Sequence, residues 1–301
     1  MINAKDITVI IPTGGKREHS LRRAVMSVLS QSESVSKILV IWDGDNDPFP
    51  YLATLGDSVE TVKTPVAFGG VSRARQLGIE LAKTNLVCIL DDDDYWIKSK
   101  ISNQIEALKN HNNPHDIFSF CRSVLEYEDG TYKSIVPIQK FKASQNLGEY
   151  FFRSIPLRNS RKTCSSSTYL FSRQLALKNP FKSNMTADED TDFILRIHNE
   201  CEVFYIHKVL VHSTYRDPGG AGLSHAERNI EDWLKWIQGM SDIVEIRIIS
   251  NIKIVYGVRH YLKQNRVNEA FRLWSSTLRE NPDLHSASTG LFLFLRKLIN
   301  R

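Results

Sequence analysis

The chain has 301 residues, of which 42% are hydrophobic and 24% are charged. This length suits one large α/β domain with an appendage or two smaller domains, and the hydrophobic fraction excludes a largely disordered chain. The net charge of +5 is small for this length, so the composition gives no support for a nucleic-acid partner. Most of the excess lies in residues 226–301, which contain 12 Lys and Arg against 8 Asp and Glu.

The first residues and the cysteines predict a cytoplasmic protein. Residues 1–6 lead directly into a strand pattern and lack the charged and apolar regions of a secretory signal. The four cysteines are widely spaced and form no CxxC pair, which is typical of reduced cytosolic thiols. No uncharged apolar stretch reaches about 18 residues, so we expect no transmembrane helix, and peripheral attachment to the inner face of the plasma membrane stays open.

Strand and helix patterns alternate over the first 110 residues. Apolar runs rich in β-branched residues predict strands over residues 7–11, 37–42, 59–63 and 86–90. Apolar residues at helical spacing predict helices over residues 19–31, 72–84 and 97–110, with Ser20 as the N-cap of the first. This alternation implies right-handed crossovers and a Rossmann-like, mostly parallel central sheet flanked by helices. Ligands bind outside the carboxyl ends of such strands, where the loops 12–15, 43–47 and 91–94 converge.

Four consecutive aspartates, residues 91–94, follow the fourth predicted strand. Adjacent carboxylates repel one another and are most easily tolerated where a divalent cation neutralises them, although a solvated acidic turn is the alternative. The chain has no Walker A motif and no GxGxxG fingerprint, which disfavours P-loop and dinucleotide-binding folds. The sheet edge instead offers Asp43 for a base or ribose hydroxyl and the aspartate run for a cation that bridges phosphates.

The second half of the chain predicts more strands and then helices. Strand patterns occur at residues 116–121, 123–127, 132–138, 169–172 and 203–206. Residues 141–162 mix aromatic and basic side chains, which suits either an acceptor-binding surface or aromatic core packing. From residue 226 onward, helical spacing predicts three or four helices. The last of them is apolar with three cations, which suits contact with an anionic bilayer or docking on protein, including a second subunit.

Five motifs in order carry a family resemblance. They are VIIPT at 9–13, SVLSQ at 27–31, VIWDG at 40–44, GVSRARQLG at 70–78 and LDDDDYW at 90–96. Together they resemble the family 2 inverting glycosyltransferases of the GT-A fold, closely over residues 7–110 and more weakly to about residue 225. The resemblance implies a GT-A catalytic domain over residues 1–225, and the helical pattern adds a C-terminal helical region over residues 226–301.

The resemblance also implies which residues meet the nucleotide. Pro12 and Thr13 would lie against the nucleotide, and Asp43 would meet the base. Arg73 or Arg75 falls where the family often places a cation near the nucleotide.

A DXD pair is implied within the aspartate run. Asp91 would lie near the ribose, and Asp93, helped by Asp92 and together with Asp91, would hold Mn²⁺ or Mg²⁺. Arg216 follows a strand that matches the family and leads into a glycine-containing loop, from which Arg216 or His225 could reach the diphosphate.

A second acidic cluster, residues 188–192, opens a predicted helix. Helix capping alone would explain it, because the helix macrodipole favours carboxylates in the first turn. Transfer to a hydroxyl, however, needs a general base, which contributes about 10² to 10⁴ in rate. The cluster resembles the family's Glu-Asp-x-Asp motif, which implies Asp190 as the base, Glu189 as its neighbour and Asp192 as a capping or orienting residue.

The implied function is a metal-dependent inverting glycosyltransferase. It would move a sugar from a nucleotide-diphosphate donor, most simply a UDP-sugar, to a hydroxyl of a glycan or lipid-linked acceptor in bacterial surface polysaccharide biosynthesis. One alternative is a sugar nucleotidyltransferase, favoured by Gly14, Gly15, Lys16 and Arg17 after the first strand. The other is a non-catalytic GT-A-like assembly partner whose C-terminal helices form the interface.

Overall fold

The computed structural model describes residues 2–44, 50–65, 69–152, 164–183, 185, 188–215 and 229–299. The chain divides into two compact units, one formed by Met1–Ala143 and Thr163–Ala226 and the other by Ser144–Lys162 and Glu227–Arg301. The C-terminal helices therefore group with residues 144–162, which lie inside the predicted catalytic domain. The division into a catalytic domain and a helical region at residue 225 stays a prediction.

A sheet of nine strands forms the centre of the first unit in the described part of the chain. The strands are β1 Ile7–Thr13, β2 Lys37–Trp42, β3 Val59–Lys63, β4 Leu86–Ile89, β5 Tyr95–Trp96, β6 Ile117–Glu126, β7 Tyr132–Val136, β8 Leu170–Ser172 and β9 Glu202–Thr214. Their order is β3-β2-β1-β4-β8-β6-β9-β5, and β7 pairs with β6.

The helices of the first unit flank this sheet, and the remaining helices form the second unit. They are α1 Glu18–Leu29, α2 Val71–Leu81, α3 Lys100–Leu108, α4 Leu147–Phe152, α5 Arg173–Lys178, α6 Glu189–Ile197, α7 Ile230–Gln238, α8 Ile246–Ile252, α9 Arg259–Lys263, α10 Val267–Glu280 and α11 Leu284–Ile299. A π-helical segment, Lys253–Val258, connects α8 to α9.

The strand directions explain where a site can form. Strands β1, β2, β3 and β4 are parallel, β8 is antiparallel to both β4 and β6, and β6 is parallel to β9. Strands β6 and β9 therefore point the same way as β4, which confirms the mostly parallel α/β sheet. Because β8 runs the opposite way, the residues that precede it lie at the carboxyl edge of the parallel strands.

Close packing of helix on sheet depends on Gly78 in α2. A Cβ at this position would clash with Ile10 Cγ2 of β1 and would come within 3.2 Å of Ile41 Cγ1 of β2. Both isoleucines are fully buried in the sheet. The glycine thus lets the α2 backbone lie directly on the two strands whose ends carry Thr13 and Asp43.

The structure corrects several sequence-based boundaries. Helix α1 begins at Glu18 with Arg17 as its N-cap, so Ser20 lies inside the helix and is not the N-cap. The two strands expected at 116–121 and 123–127 form one strand, β6, whose pairing with β9 shifts register on both sides of Arg122. That bulge interrupts the apolar pattern while the ladder continues, which explains the error. The two-residue strand β5 and helix α5 were not predicted.

The aromatic residues of the 141–162 segment serve as core where the structure describes them. Phe141 is buried in the first unit and packs edge-on against Phe120, with ring centroids 5.8 Å apart. Tyr150, Phe151 and Phe152 are buried in the second unit. These rings therefore form no exposed acceptor surface. Residues 153–163, with the basic side chains of this segment after Lys142, lie outside the described residues.

The second unit is helical, as the spacing predicts. Its core contains Ile254, Val258 and Ala270, which are fully buried, and Trp233 and Trp274 pack against them. Within the described ranges, no helix combines the length and the apolar character needed to cross a bilayer.

We predict that Gly78→Ala lowers the free energy of unfolding by about 1–2 kcal/mol. Overpacking against Ile10 costs about 1–3 kcal/mol, and the better helix propensity of alanine offsets up to about 1 kcal/mol of this. Urea unfolding followed by circular dichroism measures the change. Glu80→Ala on an exposed face of the same helix is the control and should change the free energy by less than about 0.5 kcal/mol. An unchanged unfolding midpoint in Gly78→Ala would contradict the packing argument.

Candidate active site

Hydrogen bonds join the strand ends at the carboxyl edge of the sheet. Thr13, the last residue of β1, donates from Oγ1 to Asp92 Oδ2 at 2.6 Å. The Asp43 amide donates to the Thr13 carbonyl at 2.9 Å. The ends of β1 and β2 and the aspartate run after β4 therefore meet, as their loops were predicted to do.

The last three carboxylates of the aspartate run have charged or hydrogen-bonding partners. Arg17 forms ion pairs with Asp92, at 2.9 Å, and with Asp93. Asp94 accepts hydrogen bonds from Ser165 Oγ at 3.0 Å and from the Thr214 amide at 2.8 Å. Asp94 thus ties together the segment before β8 and the last residue of β9, and it does not face the edge as a free carboxylate.

Burial changes the acidity of two of these aspartates. Desolvation raises the pKa of Asp92 to about 6, although Arg17 and the Thr13 hydroxyl act in the opposite direction. Desolvation, together with the negative charges of Asp93 and Asp91, raises the pKa of Asp94 to about 8. The charged forms of Asp92 and Asp94 are therefore disfavoured by burial.

Arg75 links the aspartate run to the second acidic cluster. Its guanidinium donates to Asp91 Oδ1 at 2.6 Å and to Ser166 Oγ at 3.0 Å, and it forms an ion pair with Glu189. The Arg75 side chain is only 4% exposed. Desolvation alone would lower its pKa, but the charges of Asp91 and Glu189 raise it above the ordinary value. This buried cation therefore holds the first turn of α6 beside the end of β4.

The three carboxylates at the start of α6 have different environments. Asp192 is fully buried and pairs with Lys182 at 2.9 Å and Arg196 at 2.6 Å. Glu189 pairs with Arg75. Asp190 is only partly buried, and its hydrogen bond among the described residues comes from the Thr191 amide at 2.7 Å.

The acidity of Asp190 suits proton transfer near neutral pH. Burial and the negative charge of Glu189 raise its pKa to about 7, against the lowering effect of Arg75. A carboxylate with a pKa near the operating pH is an effective general base, because it is partly deprotonated and still accepts a proton readily. Asp192, held by two cations, is suited to fixing the helix instead.

Asp43 is engaged in contacts that the sequence did not indicate. It accepts hydrogen bonds from Thr64 Oγ1 at 2.8 Å, from the Gly69 amide at 3.0 Å and from the Gly70 amide at 2.7 Å. Gly70 is the N-cap of α2 and has a φ of 87°, a conformation that favours glycine. Asp43 therefore fixes the start of the helix that carries Arg75.

The remaining predicted site residues lie at different places. Pro12 is buried in β1 beside Ile41 of β2. Arg73 lies part-buried in the first turn of α2, whereas Arg75, one half-turn on, reaches the acidic residues. Arg216 and His225 lie outside the described residues.

Sequence reasoning missed two sets of contacts. Arg17 was considered only for a nucleotidyltransferase, yet it binds two of the aspartates. The serines before β8 also hold the aspartate run, since Ser167 Oγ accepts from the Asp91 amide at 3.0 Å and Ser166 Oγ donates to Asp91 Oδ2 at 3.1 Å. The run of small hydroxyl residues at 165–168 is visible in the sequence as a possible set of hydrogen-bonding partners. Its position beside the aspartate run, however, depends on the antiparallel direction of β8.

The donor set at the edge fits a hard divalent cation. Asp91 and Asp93 offer carboxylate oxygens, and their side chains are 28% and 14% exposed. In the described ranges, no three His, Cys, Asp or Glu side chains form a ready-made metal site. A pair of partly exposed carboxylates such as Asp91 and Asp93 suits Mg²⁺ or Mn²⁺, which can be bound by one or two carboxylates with the remaining positions filled by substrate phosphates.

Comparison with known proteins assigns the family. The family model described as glycosyl transferase family 2 matches residues 8–177, which include β1 to β4, the aspartate run and the serines before β8. The chain belongs to glycosyl transferase family 2. The family membership confirms the resemblance of the five sequence motifs and identifies the protein as a transferase.

Two relatives named as glycosyltransferases differ in how much of their length the chain covers. An uncharacterised glycosyltransferase of Rickettsia conorii is 28% identical over 73% of this chain, which spans only 34% of that protein. The Escherichia coli UDP-Glc:alpha-D-GlcNAc-diphosphoundecaprenol beta-1,3-glucosyltransferase WfgD is 26% identical over 70% of this chain and 76% of its own length.

The fold agrees with a solved family structure. Staphylococcus aureus TarS residues 1–349, crystallised in complex with UDP-GlcNAc, superposes with a TM-score of 0.64 at 16% identity. The superposition covers 91% of this chain and 80% of that one. The likeness confirms the GT-A fold.

We predict that Arg75→Gln destabilises the protein by about 3 kcal/mol. Removing one member of a buried ion pair costs about 3–5 kcal/mol, and the lower end applies because Asp91 keeps contact with water. Urea unfolding measures the loss, and Arg73→Gln on the same helix should cost about 1 kcal/mol or less. Equal losses in the two variants would show that the Arg75 contacts contribute no special stability.

Proposed function

We propose that this family 2 enzyme is a metal-dependent inverting glycosyltransferase that uses a nucleotide-diphosphate sugar. The observation that carries the proposal is the buried Arg75 contact between Asp91 and Glu189, because it brings two acidic clusters about a hundred residues apart to one edge of the sheet. One cluster suits the cation and the diphosphate, and the other suits the acceptor hydroxyl. A single displacement at the anomeric carbon needs both, on opposite sides of the sugar.

Asp190 is the proposed general base. Two of its acidic neighbours are engaged by cations, Glu189 by Arg75 and Asp192 by Lys182 and Arg196. Asp190 takes the proton from the acceptor hydroxyl as the oxygen bonds to the anomeric carbon and the bond to the diphosphate breaks. One displacement inverts the anomeric configuration.

The aspartate run is the proposed donor side of the site. Asp93 and Asp91 would hold Mn²⁺ or Mg²⁺, with Asp92 as a helper, and the bound cation would neutralise the charge that develops on the leaving diphosphate. Thr13 and Pro12 would lie against the nucleotide. Asp43 would meet the base with the lone pairs left by its amide contacts, and Arg73 and Arg216 are the proposed additional cations near the diphosphate.

The donor and acceptor classes come from the relatives. TarS was crystallised with UDP-GlcNAc, and WfgD is named for transfer from UDP-Glc to a diphosphoundecaprenol-linked sugar. We therefore propose a UDP-sugar as donor and a glycan or lipid-linked sugar as acceptor, in surface polysaccharide biosynthesis. Thermal shift with UDP-, GDP- and dTDP-sugars plus Mn²⁺ tests the donor, because specific binding raises the melting temperature.

We predict that Asp190→Asn reduces sugar transfer by about 10² to 10⁴-fold while UDP-sugar binding stays nearly unchanged. The amide cannot accept the proton but keeps the shape of the side chain. In the unchanged protein, transfer should rise with pH below about 7 and level off above it, because the base acts when deprotonated and its pKa is raised to about 7. Transfer assays across pH, with binding followed by thermal shift, measure both effects.

Asp188→Asn is the control for Asp190→Asn. It removes the same charge two residues away, at a left-handed position with φ of 62° that asparagine tolerates. This variant should keep transfer activity. Its pH midpoint should move to lower pH, because the Asp188 charge raises the pKa of Asp190. Unimpaired transfer by Asp190→Asn would contradict the assignment of the base.

The proposed contact with the cytoplasmic face of the membrane rests on helix α11. Leu284, Leu291, Leu295 and Leu298 lie on one face of this helix and are 89%, 52%, 48% and 64% exposed. The helix also carries Arg296 and Lys297 and no acidic residue. An anionic bilayer would accept the exposed leucines and attract the two cations of the same helix.

We predict that the protein binds phosphatidylglycerol vesicles more strongly than phosphatidylcholine vesicles. Leu291→Gln with Leu295→Gln should reduce binding about tenfold or more, because each leucine loses apolar contact. Vesicle sedimentation measures binding, and Tyr132→Ser, at an exposed apolar position in the first unit, is the control. Equal binding by the double variant would contradict the bilayer contact, and a stable dimer in light scattering would favour a second copy.

A further inference from the structure

Arg17 forms ion pairs with the carboxylates to which the proposed function assigns the divalent cation. Its guanidinium lies 2.9 Å from Asp92 Oδ1 and also pairs with Asp93 Oδ2. Arg17 is the N-cap of α1 but makes no side-chain capping bond there. The side chain therefore serves the aspartate run and not the helix that it begins.

Arg17 and Arg75 differ in how firmly they are held. Arg75 is 4% exposed and lies between Asp91 and Glu189, whereas the Arg17 side chain is 40% exposed. Solvent reaches the Arg17 guanidinium, so an incoming phosphate can approach it, whereas Arg75 is enclosed by its partners. Because Asp92 is buried, the charge that Arg17 leaves behind has to be compensated by the incoming divalent cation.

The loop before Arg17 has room for such a movement. Gly15 has a φ of 73°, which glycine adopts without strain. At Gly14, a Cβ would meet no described atom within 4 Å, so the loop borders open space on that side. Thr13, which directly precedes this loop, contacts Asp92, so the loop that leads to Arg17 begins beside the aspartate run.

We propose that Arg17 is an exchangeable cation that couples metal binding to nucleotide binding. In the absence of donor it neutralises Asp92 and Asp93 and competes with a free divalent cation for the Asp93 carboxylate. When the nucleotide diphosphate arrives with its metal, Arg17 transfers to the phosphate oxygens, which a planar guanidinium binds in a bidentate way. Metal and nucleotide therefore strengthen each other's binding, and Arg17 acts as a positioning residue. This inference rests on the proposed metal and nucleotide site.

The competition has a defined thermodynamic consequence. Free metal must displace Arg17, so its affinity alone is reduced, whereas with the diphosphate present the displaced guanidinium gains a new anionic partner. The factor by which UDP strengthens Mn²⁺ binding must equal the factor by which Mn²⁺ strengthens UDP binding. Removing the Arg17 charge should reduce both factors together.

Isothermal titration of the full chain with Mn²⁺, alone and in saturating UDP, tests the coupling. Arg17→Gln should bind Mn²⁺ alone about tenfold more tightly than the unchanged protein, and the enhancement by UDP should fall about tenfold. Arg17→Lys keeps the positive charge but lacks the planar guanidinium that binds in a bidentate way. Its Mn²⁺ affinity and its enhancement by UDP should lie between those of Arg17→Gln and the unchanged protein. Arg22→Gln, an exposed position on the same helix, is the control and should match the unchanged protein.

The outcomes separate this inference from the proposed function. Equal Mn²⁺ affinity and equal UDP enhancement in Arg17→Gln and the unchanged protein overturn the role of Arg17. In that case, loss of Mn²⁺ binding in Asp93→Ala would still support the metal site. Weaker Mn²⁺ binding in a folded Arg17→Gln, checked by circular dichroism, also overturns the inference. Absence of Mn²⁺ binding in every protein, with and without UDP, overturns both.

Discussion

The arrangement of this site depends on one buried cation, the guanidinium of Arg75. It lies between Asp91, at the end of a central strand, and Glu189, in the first turn of α6. Without it, the carboxylates of Asp91 and Glu189 would lie close together with no compensating cation, and their repulsion would weaken the contact between the helix and the sheet. The same contact sets the environment of Asp190, because Arg75 lowers and Glu189 raises the pKa of that carboxyl. The Arg75 contact therefore contributes both to the stability of the site and to the acidity of Asp190.

The antiparallel strand β8 has a similarly wide effect. In an all-parallel sheet, the residues before a strand lie at the amino edge, far from the ligand site. Because β8 is reversed between β4 and β6, Ser165, Ser166 and Ser167 lie beside the aspartate run and hydrogen-bond to it. Neutral hydroxyl groups can donate to carboxylates without adding charge, so they order the run while the cations determine its electrostatics.

The sequence predicts the first four strands, the α/β class and the two acidic clusters, because these are local patterns of apolar spacing and charge. It does not predict that Asp43 binds the amides of Gly69 and Gly70, because that contact joins loops of neighbouring strands. Arg17 was missed for the same reason, since nothing in its local sequence indicates that it meets residues 92 and 93. The family motif distinguished Asp190 from Asp192 as the proposed general base. The ion pairs of Asp192 with Lys182 and Arg196 give a physical reason for that choice.

Arg75 and Arg17 differ in burial and contribute differently to the electrostatics of the site. The donor diphosphate is negatively charged and the divalent cation is positively charged. If the carboxylates of the site had no compensating cation before these ligands bind, their mutual repulsion would destabilise the protein. Arg75 supplies charge that stays in place and keeps Asp91 and Glu189 together. Arg17, whose side chain is 40% exposed, supplies charge that an incoming cation can replace. A site built in this way stays charge-compensated without ligand and does not have to unfold its supporting contacts when ligand binds.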